Sequence, residues 1–565
     1  LRIQRLFIAI AVFTSLAACA QASTSDASVT TDEQENLSFG TYLAARQAVS
    51  EHDMAGAAKY YRESLERDPA NTSLLALSFF YATSAGEVDE AGKLGERLIV
   101  TLPDDRASRL ALAIVALKHR DYRQARDHLA KSAKGPFNSI TVSLIDAWAA
   151  AGAGDAAGAE ASLKVLRGQT GAEGLGAFHQ ALLEEYLGNA DAADAAYRVA
   201  LETAGDSARI VEGYGRFLER HGRAADATAF YTKAKEDAAL APIAADGLAR
   251  IAKGDKPDAL VARPQDGVAE ALLGIAASLT DESSADVSIL YLRLALYLRP
   301  NLDLASIMLG DRLETLLKYD DAIAVYRSIE SDSPYYRMAA VQIAIDETRS
   351  DNNDAAIADL KMLTQTYSGD IETWTALGDA YRSAERFPEA AAAYDSAVKA
   401  LGPVEKKDWP LFYVRAIAEE RSHNWDAAEA DLKQALALSP DEPEVLNYLG
   451  YSWIDQGRNT AAAIPMLEKA RALKPLDGYI VDSVGWAYFR TGRYQDAAKI
   501  LGDAVLLVPG DPTINDHLGD ALWKVGRKIE ARFQWNHALA FGADADEKSK
   551  LEKKLQVGLS GDDRS

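Results

Sequence analysis

The sequence predicts an all-α fold: a solenoid, or superhelix, of about fourteen helix-turn-helix units of 34 residues each. Three observations lead there. A 34-residue frame can be laid from Ser38, and its position 20 is small in every unit. The column reads Ala57, Ala91, Ala125, Ala159, Ala193, Ala227, Ser288, Ala322, Ala356, Ala390, Ala428, Ala463, Ala497 and Ala531. Prolines recur at position 32, as in Pro69, Pro103, Pro300, Pro334, Pro440, Pro475 and Pro509, where a ring without an N–H stops a helix. Turn signals such as Gly86, Gly188-Asn189, Gly222-Arg223, Gly457-Arg458, Gly492-Arg493 and Gly526-Arg527 sit between the two helices of a unit.

In chain order, Arg2 and Arg5 precede an apolar stretch, Leu6 to Phe13, followed by small residues, so 1–18 reads as a signal peptide. The only cysteine of the chain follows in Leu16-Ala17-Ala18-Cys19. Residues 19–37 are rich in Ser, Thr, Asp and Glu and read as a flexible tether. Six units then begin at Ser38, Thr72, Arg106, Ile140, Gly174 and Ala208, an N-terminal array over 38–241. Pro242, Gly254, Pro257 and Pro264 break the frame, which makes 242–268 an irregular joint. Eight units resume at Ala269, Asp303, Arg337, Ile371, Trp409, Pro443, Gly478 and Pro512, a C-terminal array over 269–545. Two slips interrupt it: four extra residues, Glu405 to Asp408, and one in the unit from Pro443. Residues 546–565 mix Lys and Glu around Leu551 and Leu555, as a capping helix and tail would.

The column has a physical cause. Two antiparallel helices approach closely only where small side chains face each other, so positions 8, 20 and 27 require Gly or Ala and larger side chains at 4, 7, 11 and 24 fill the flanking holes. The unit from Ile371 shows this with Trp374, Leu377, Gly378, Tyr381, Ala390, Tyr394 and Ala397, and with Pro403 one place late. On these residues the chain resembles the tetratricopeptide repeat family, and its C-terminal array is similar to repeat proteins common in alphaproteobacteria. Leu16-Ala17-Ala18-Cys19 resembles the lipobox of bacterial lipoproteins. That resemblance implies lipidation of Cys19 and a membrane anchor facing the periplasm; Ala20 in place of aspartate points to the outer membrane before the inner. Ala20-Gln21-Ala22 leaves an ordinary cleavage site as the alternative.

Composition excludes several classes of function. Net charge is −23, from 61 basic and 84 acidic residues, which repels phosphate backbones, so nucleic acid is not an expected partner. One cysteine forms no internal disulfide and no multi-cysteine metal site. There is no H-E-x-x-H, G-x-x-x-x-G-K-[ST] or G-x-S-x-G, and no segment is left over for a catalytic domain. His52, His119, His221 and His423 lie at or beside turns, and pairs such as Glu184-Glu185 and Glu419-Glu420 read as solvated faces. No enzyme activity, cofactor, metal or small-molecule substrate is expected.

A protein or peptide partner is expected instead. The tetratricopeptide resemblance implies a groove lined by positions 2, 5, 9 and 12 of the first helices. Aromatic residues concentrate there late in the chain: Asn447, Asp482 and Asp516 occupy position 5, Tyr451, Trp486 and Asp520 position 9, Phe489 and Trp523 position 12, with Arg490 alongside. An aromatic centre with a charged rim has the composition of an interface. Packing between neighbouring units is the alternative for Tyr451, Trp486, Phe489 and Trp523. The acidic groove favours a basic or amphipathic ligand. The leading expectation is a scaffold at the bacterial envelope; the alternatives are a cytoplasmic assembly chaperone or a regulatory subunit of an enzyme on another chain.

Overall fold

The computed structural model describes residues 33–166, 172–205, 207–281, 284–542 and 545–559. The signal segment, Cys19 and the tether as far as residue 32 lie outside them. Among the described residues there are thirty α-helices and no strand, and no helix is long and apolar enough to cross a membrane. They form two compact bodies, one ending at Ala305 and one starting at Ser306.

Every unit of the frame is a helical hairpin, and the small-residue column is its contact line. All fourteen position-20 residues are 0% exposed. Ser288, the one departure, turns its hydroxyl to the Ala276 carbonyl at 3.3 Å, which satisfies a polar group that could not otherwise be buried there. Glycine at position 8 receives the large residue at position 24. A Cβ on Gly215, Gly310, Gly378, Gly485 or Gly519 would lie 2.2–2.6 Å from Tyr231, Tyr326, Tyr394, Leu501 or Trp535 respectively. The second residue after the first helix has a left-handed backbone in every repeat whose turn is described. Gly86, Gly154, Gly188, Gly222, Gly457, Gly492 and Gly526 adopt it without a Cβ penalty; His52, Arg120, Leu317, Asp351, Glu385 and His423 adopt it as non-glycines. His52 and His423 are thus turn-closing residues.

Both frame slips are absorbed locally. The four extra residues form a short 3-10 turn, Lys406–Asp408, closed by the Asp408 carboxylate accepting from the Glu405 backbone N–H at 2.7 Å. The single extra residue is absorbed in the turn that ends at Asn459, which enters the left-handed region before helix Thr460–Leu473.

The N-terminal body departs from the expected layout in three places. Helix Glu33–Ser50 begins inside the segment expected to be tether through 37. The stretch 242–268, expected to be irregular, contains helix Ala241–Lys253 and the start of helix Pro264–Ser278. Pro242 and Pro264 stand in first turns, Gly254 is a left-handed C-cap with φ 76°, and Pro257 lies in the non-helical link between the two helices, so most of the residues that break the frame are helix boundaries. Finally, the hairpin Pro264–Ser278 and Ala285–Leu298, expected to open the C-terminal array, folds back onto the first helices of the N-terminal one. The first of its helices packs on Pro136–Gly152 and Glu173–Tyr186, the second on Thr72–Ser84 and Arg106–Lys118.

That hairpin is a core element. Helix Pro264–Ser278 is buried on nearly every side, and the polar groups it carries inward, Gln265, Asp266 and Glu270, are each met by a hydrogen-bond partner. Gly267 lies under the Trp148 indole, where a Cβ would approach to 2.2 Å. Gln265 Nε2 donates to the Leu117 carbonyl at 2.9 Å, and Lys118 Nζ to the Tyr297 carbonyl at 2.5 Å. Glu270, 2% exposed, accepts from Arg209 Nε and from Arg299 Nη1, each at 3.0 Å. The inner face of the N-terminal array is therefore covered by the chain itself.

The C-terminal body is a run of seven hairpins, from Asp303–Thr315 with Tyr319–Tyr326 to Pro512–Lys524 with Lys528–Ala540, ended by helix Ala545–Val557. The last helix packs on Lys528–Ala540 through Leu551, which is buried. It covers the final hairpin as the following repeat would.

Candidate protein-binding face

Consecutive first helices present positions 5, 6, 9, 12 and 13 side by side, and polar ladders tie one repeat to the next. Tyr231 Oη donates to Glu219 at 2.9 Å, and Glu219 accepts from Arg250 Nη2 at 2.7 Å. Tyr197, Glu185 and Arg220 repeat the pattern at 2.9 and 2.7 Å, and Tyr326, Glu314 and Arg349 at 2.5 and 2.8 Å. Glu185, expected on a solvated face, is mostly buried in this ladder, because the tyrosine at position 24 reaches through the hairpin to position 12. The sequence signal was present in the 12-residue spacing between the acid and the tyrosine.

One ladder carries strained charge. Asp346 is buried beside Glu314, and burial first, then the Glu314 carboxylate, push its carboxyl up to about 7 against the pull of Arg349. A raised acid binds its proton more tightly in the folded than in the unfolded chain, so stability present near pH 4 falls as pH rises to about 7. Asp346→Asn is expected to raise stability at pH 8 by on the order of 2 kcal/mol and to change it little at pH 4. Denaturant titrations at the two pH values check this; an equal change at both would refute it.

The predicted site residues fall into two groups. Trp486 is 5% exposed: its indole stacks between Phe489, 4.9 Å away, and His517 of the next repeat, 4.0 Å away, and its Nε1 has no hydrogen-bond partner. Asp482 is buried and pairs with His517 Nδ1 at 2.9 Å. That carboxylate holds the His517 imidazolium above the ordinary range although burial opposes it. Arg490 lies over Trp486 and donates to the Asp455 carbonyl at 3.1 Å. Tyr451, half-buried nearby, has its hydroxyl pushed up to about 12 by burial, then by Asp455 and Asp482.

Asp516, Asp520 and Trp523 form the second group, and the terminal helix covers it. Lys554 Nζ reaches Asp516 Oδ1 at 2.7 Å and Asp520 Oδ2 at 2.9 Å, while Trp535 Nε1 donates to Asp520 Oδ1 at 3.0 Å. Burial and Asp516 raise the Asp520 carboxyl against the pull of Lys554. Gly558 rests on the Trp523 ring. Trp486, Phe489, Asp520 and Trp523, expected to project into an open groove or to pack between units, are thus taken up by packing: Trp486 against His517 of the next repeat, Phe489 against Trp486 and Tyr494 of its own hairpin, Asp520 against Lys554 of the terminal helix and Trp523 against Gly558 just beyond it.

What stays accessible lies one and two repeats earlier. Tyr413 and Tyr448 meet edge to face at 6.0 Å, both half-buried, and Tyr448 Oη donates to Glu420 at 3.1 Å. Asn447 shares their helix face with Tyr451, half-buried, and its Oδ1 has no hydrogen-bond partner. Tyr413 at position 5 and Tyr448 at position 6 were missed because the sequence reading favoured the tryptophans. Among the described residues no group of three or more His, Cys, Asp or Glu is placed to hold a metal ion.

The tetratricopeptide repeat profile matches residues 341–405, 413–477 and 485–548. These spans coincide with the hairpins of the C-terminal body, which carry the small column and the left-handed turn. The chain contains tetratricopeptide repeats. Such repeats build scaffolds for protein–protein interaction. No curated protein matches the sequence. Among solved structures, the APC/C hetero-tetramer Cut9-Hcn1 is 14% identical over 92% of this chain and 96% of that one, with a TM-score of 0.38. A tetratricopeptide repeat protein from Parabacteroides merdae is 13% identical over 44% and 97%, TM-score 0.37. The Pseudomonas aeruginosa protein pilF is 18% identical over 33% and 82%, TM-score 0.29. Likenesses of this size assign neither partner nor process to the tetratricopeptide array.

Proposed function

We propose that this chain is a non-catalytic scaffold that binds a protein or peptide partner on the first-helix face of its C-terminal array, around Tyr413, Asn447, Tyr448 and Tyr451. The observation that carries this reading is the contrast between the two bodies. In the first, the equivalent face is filled by the hairpin Pro264–Leu298. In the second, the half-buried rings of Tyr413, Tyr448 and Tyr451 keep part of their surface open to a partner. Glu420 on this face, together with the net charge of −23, favours a basic or amphipathic partner, while Glu444 and Asp455 are already paired with Lys474 and Arg490.

Tyr448→Ala with Tyr451→Ala in the full chain is expected to weaken partner binding by roughly 2 kcal/mol, as for a central aromatic pair. Photo-crosslinkers placed at Tyr451 and, as control, at Gly188 check it: adducts at both or at neither would sink the assignment. The envelope anchor belongs to the same proposal and is supported by the lipobox-like Leu16-Ala17-Ala18-Cys19. Cys19→Ser is expected to abolish acyl labelling and release the protein from the membrane fraction. An unlabelled parent that fractionates as its variant does would favour simple secretion or a cytoplasmic chaperone.

A further inference from the structure

The joint between the last two repeats of the C-terminal body differs in chemistry from the joints before it. Position 5 of one first helix and position 6 of the next meet ring to ring at Tyr413 and Tyr448, and carboxylate to imidazole at Asp482 and His517. At the same positions of other joints the sequence has Val341 and Ala376, Thr375 and Val414, or Asn447 and Ser483. Only the last joint carries, at these two positions, a group that changes charge near neutral pH.

The pair is closed off from water. His517 is 7% exposed and Asp482 6%, and Nδ1 lies 2.9 and 3.0 Å from the two carboxylate oxygens. The imidazole stacks on Trp486 of the earlier repeat, so one ring supplies both the apolar and the polar tie. Among the described residues no other ion pair joins helices Gly478–Arg490 and Pro512–Lys524. The charged groups around the imidazole are mostly acidic. Its own helix adds Asp516 and Asp520, whose shared cation is Lys554 of the terminal helix. From the earlier repeats come Arg490, over the Trp486 ring and paired with Asp455, and the Tyr451 hydroxyl facing Asp482. Burial alone would strip the imidazolium of its proton, but Asp482 first, then Asp516 and Asp520, hold it above the ordinary range.

The charge balance at this joint therefore depends on one proton. With His517 protonated, Asp482 is neutralised where it is buried. With the proton gone the imidazole still donates a hydrogen bond, but Asp482 keeps a buried charge without a counter-charge. Three carboxylates then remain against Lys554, since Arg490 is engaged with Asp455.

We propose that His517 makes this joint pH-responsive: with the imidazole protonated the last repeat and helix Ala545–Val557 are held on the array, and with the proton gone that end loosens and bares the Trp486 ring. The sign follows from linkage. A proton held more tightly in the folded than in the unfolded chain stabilises fully below about 6.5, and the effect is lost as pH rises through the folded value. Asp520, raised by burial and then by Asp516, acts in the same direction, so variants that keep Asp520 are needed to separate the two.

Hydrogen exchange of the full chain at about pH 6 and about pH 9, scaled to the intrinsic rate at each pH, tests it. Protection in helices Pro512–Lys524, Lys528–Ala540 and Ala545–Val557 is expected to fall about ten-fold or more at the higher pH, and to stay level in helix Ile371–Ser383. Asp482→Asn keeps the ring stack and removes the acid, while His517→Gln removes the proton site. Each is expected to lose most of the pH difference, whatever its cost in stability. The His517 ring, followed by NMR and assigned by its absence in His517→Gln, is expected to titrate above 6.5 in the parent and lower in Asp482→Asn. A parent midpoint at or below 6.5, no fall in protection, an equal fall near Ile371, or a pH difference that survives in both variants would overturn the proposal.

Discussion

Glu270→Ala is expected to cost the N-terminal body about 3–5 kcal/mol, because it removes one member of a buried charge cluster and strands the others. Glu270 is the meeting point of two guanidiniums, Arg209 and Arg299. Arg209 retains its ion pair with Glu212 when Glu270 is lost, but Arg299 keeps one hydrogen bond, to the Leu260 carbonyl at 3.0 Å, and only the through-space attraction of Glu212. The damage should concentrate on the hairpin Pro264–Leu298, which this cluster ties to helix Ala208–Arg220. Faster cleavage within 255–263, the non-helical segment leading into the hairpin, and a lower denaturation midpoint are the expected readouts. Replacing Arg209, Glu270 and Arg299 together by Met, Leu and Met should recover most of the loss, since a well-packed apolar cluster needs no charge compensation. An unchanged midpoint in Glu270→Ala would mean that the hairpin is not held this way.

The repeat was legible because its physics is local. A small residue at position 20 reports close approach of two helices within one hairpin, and it holds, as Ser288, even where the chain departs from its expected layout. Pro264 and Gly254 were legible as boundaries and misleading as breakers: Gly254 ends one helix and Pro264 starts the next, and both helices lie partly within the stretch expected to be irregular. The return of the hairpin Pro264–Leu298 was not legible, since it rests on contacts such as Gln265 with Leu117, 148 residues apart, that no period encodes. The site reading failed for a related reason. Position 9 faces the inner wall in every repeat, but whether a ring there meets solvent depends on the residue at position 6 of the next helix. At Trp486 that residue is His517, and at Asp520 the terminal helix supplies Lys554.

Trp486→Ala is expected to destabilise its repeat by about 3–5 kcal/mol, the range for removing a buried aromatic side chain. An exposed groove residue would lose far less, while Gly485→Leu in the same helix tests overpacking. The structure sets the two side by side. At Gly485 a Cβ would come within 2.6 Å of Leu501 Cγ and 3.2 Å of its backbone nitrogen, so a leucine overpacks the hairpin at about 1–3 kcal/mol or more. At Trp486 the loss is a stack of three rings, Phe489, Trp486 and His517, and with it the wall that shields the Asp482–His517 pair from water. Trp486→Phe separates ring stacking from the indole N–H. It keeps an aromatic face on both neighbours and deletes a donor that has no acceptor, so it should cost about 1 kcal/mol or less. Repeat arrays do not melt as one cooperative unit, so hydrogen exchange is the proper measure. Protection should fall in the repeats from Pro443, Gly478 and Pro512 and stay unchanged near Ile371. Unaltered protection in Trp486→Ala would return the ring to the open groove and to the partner.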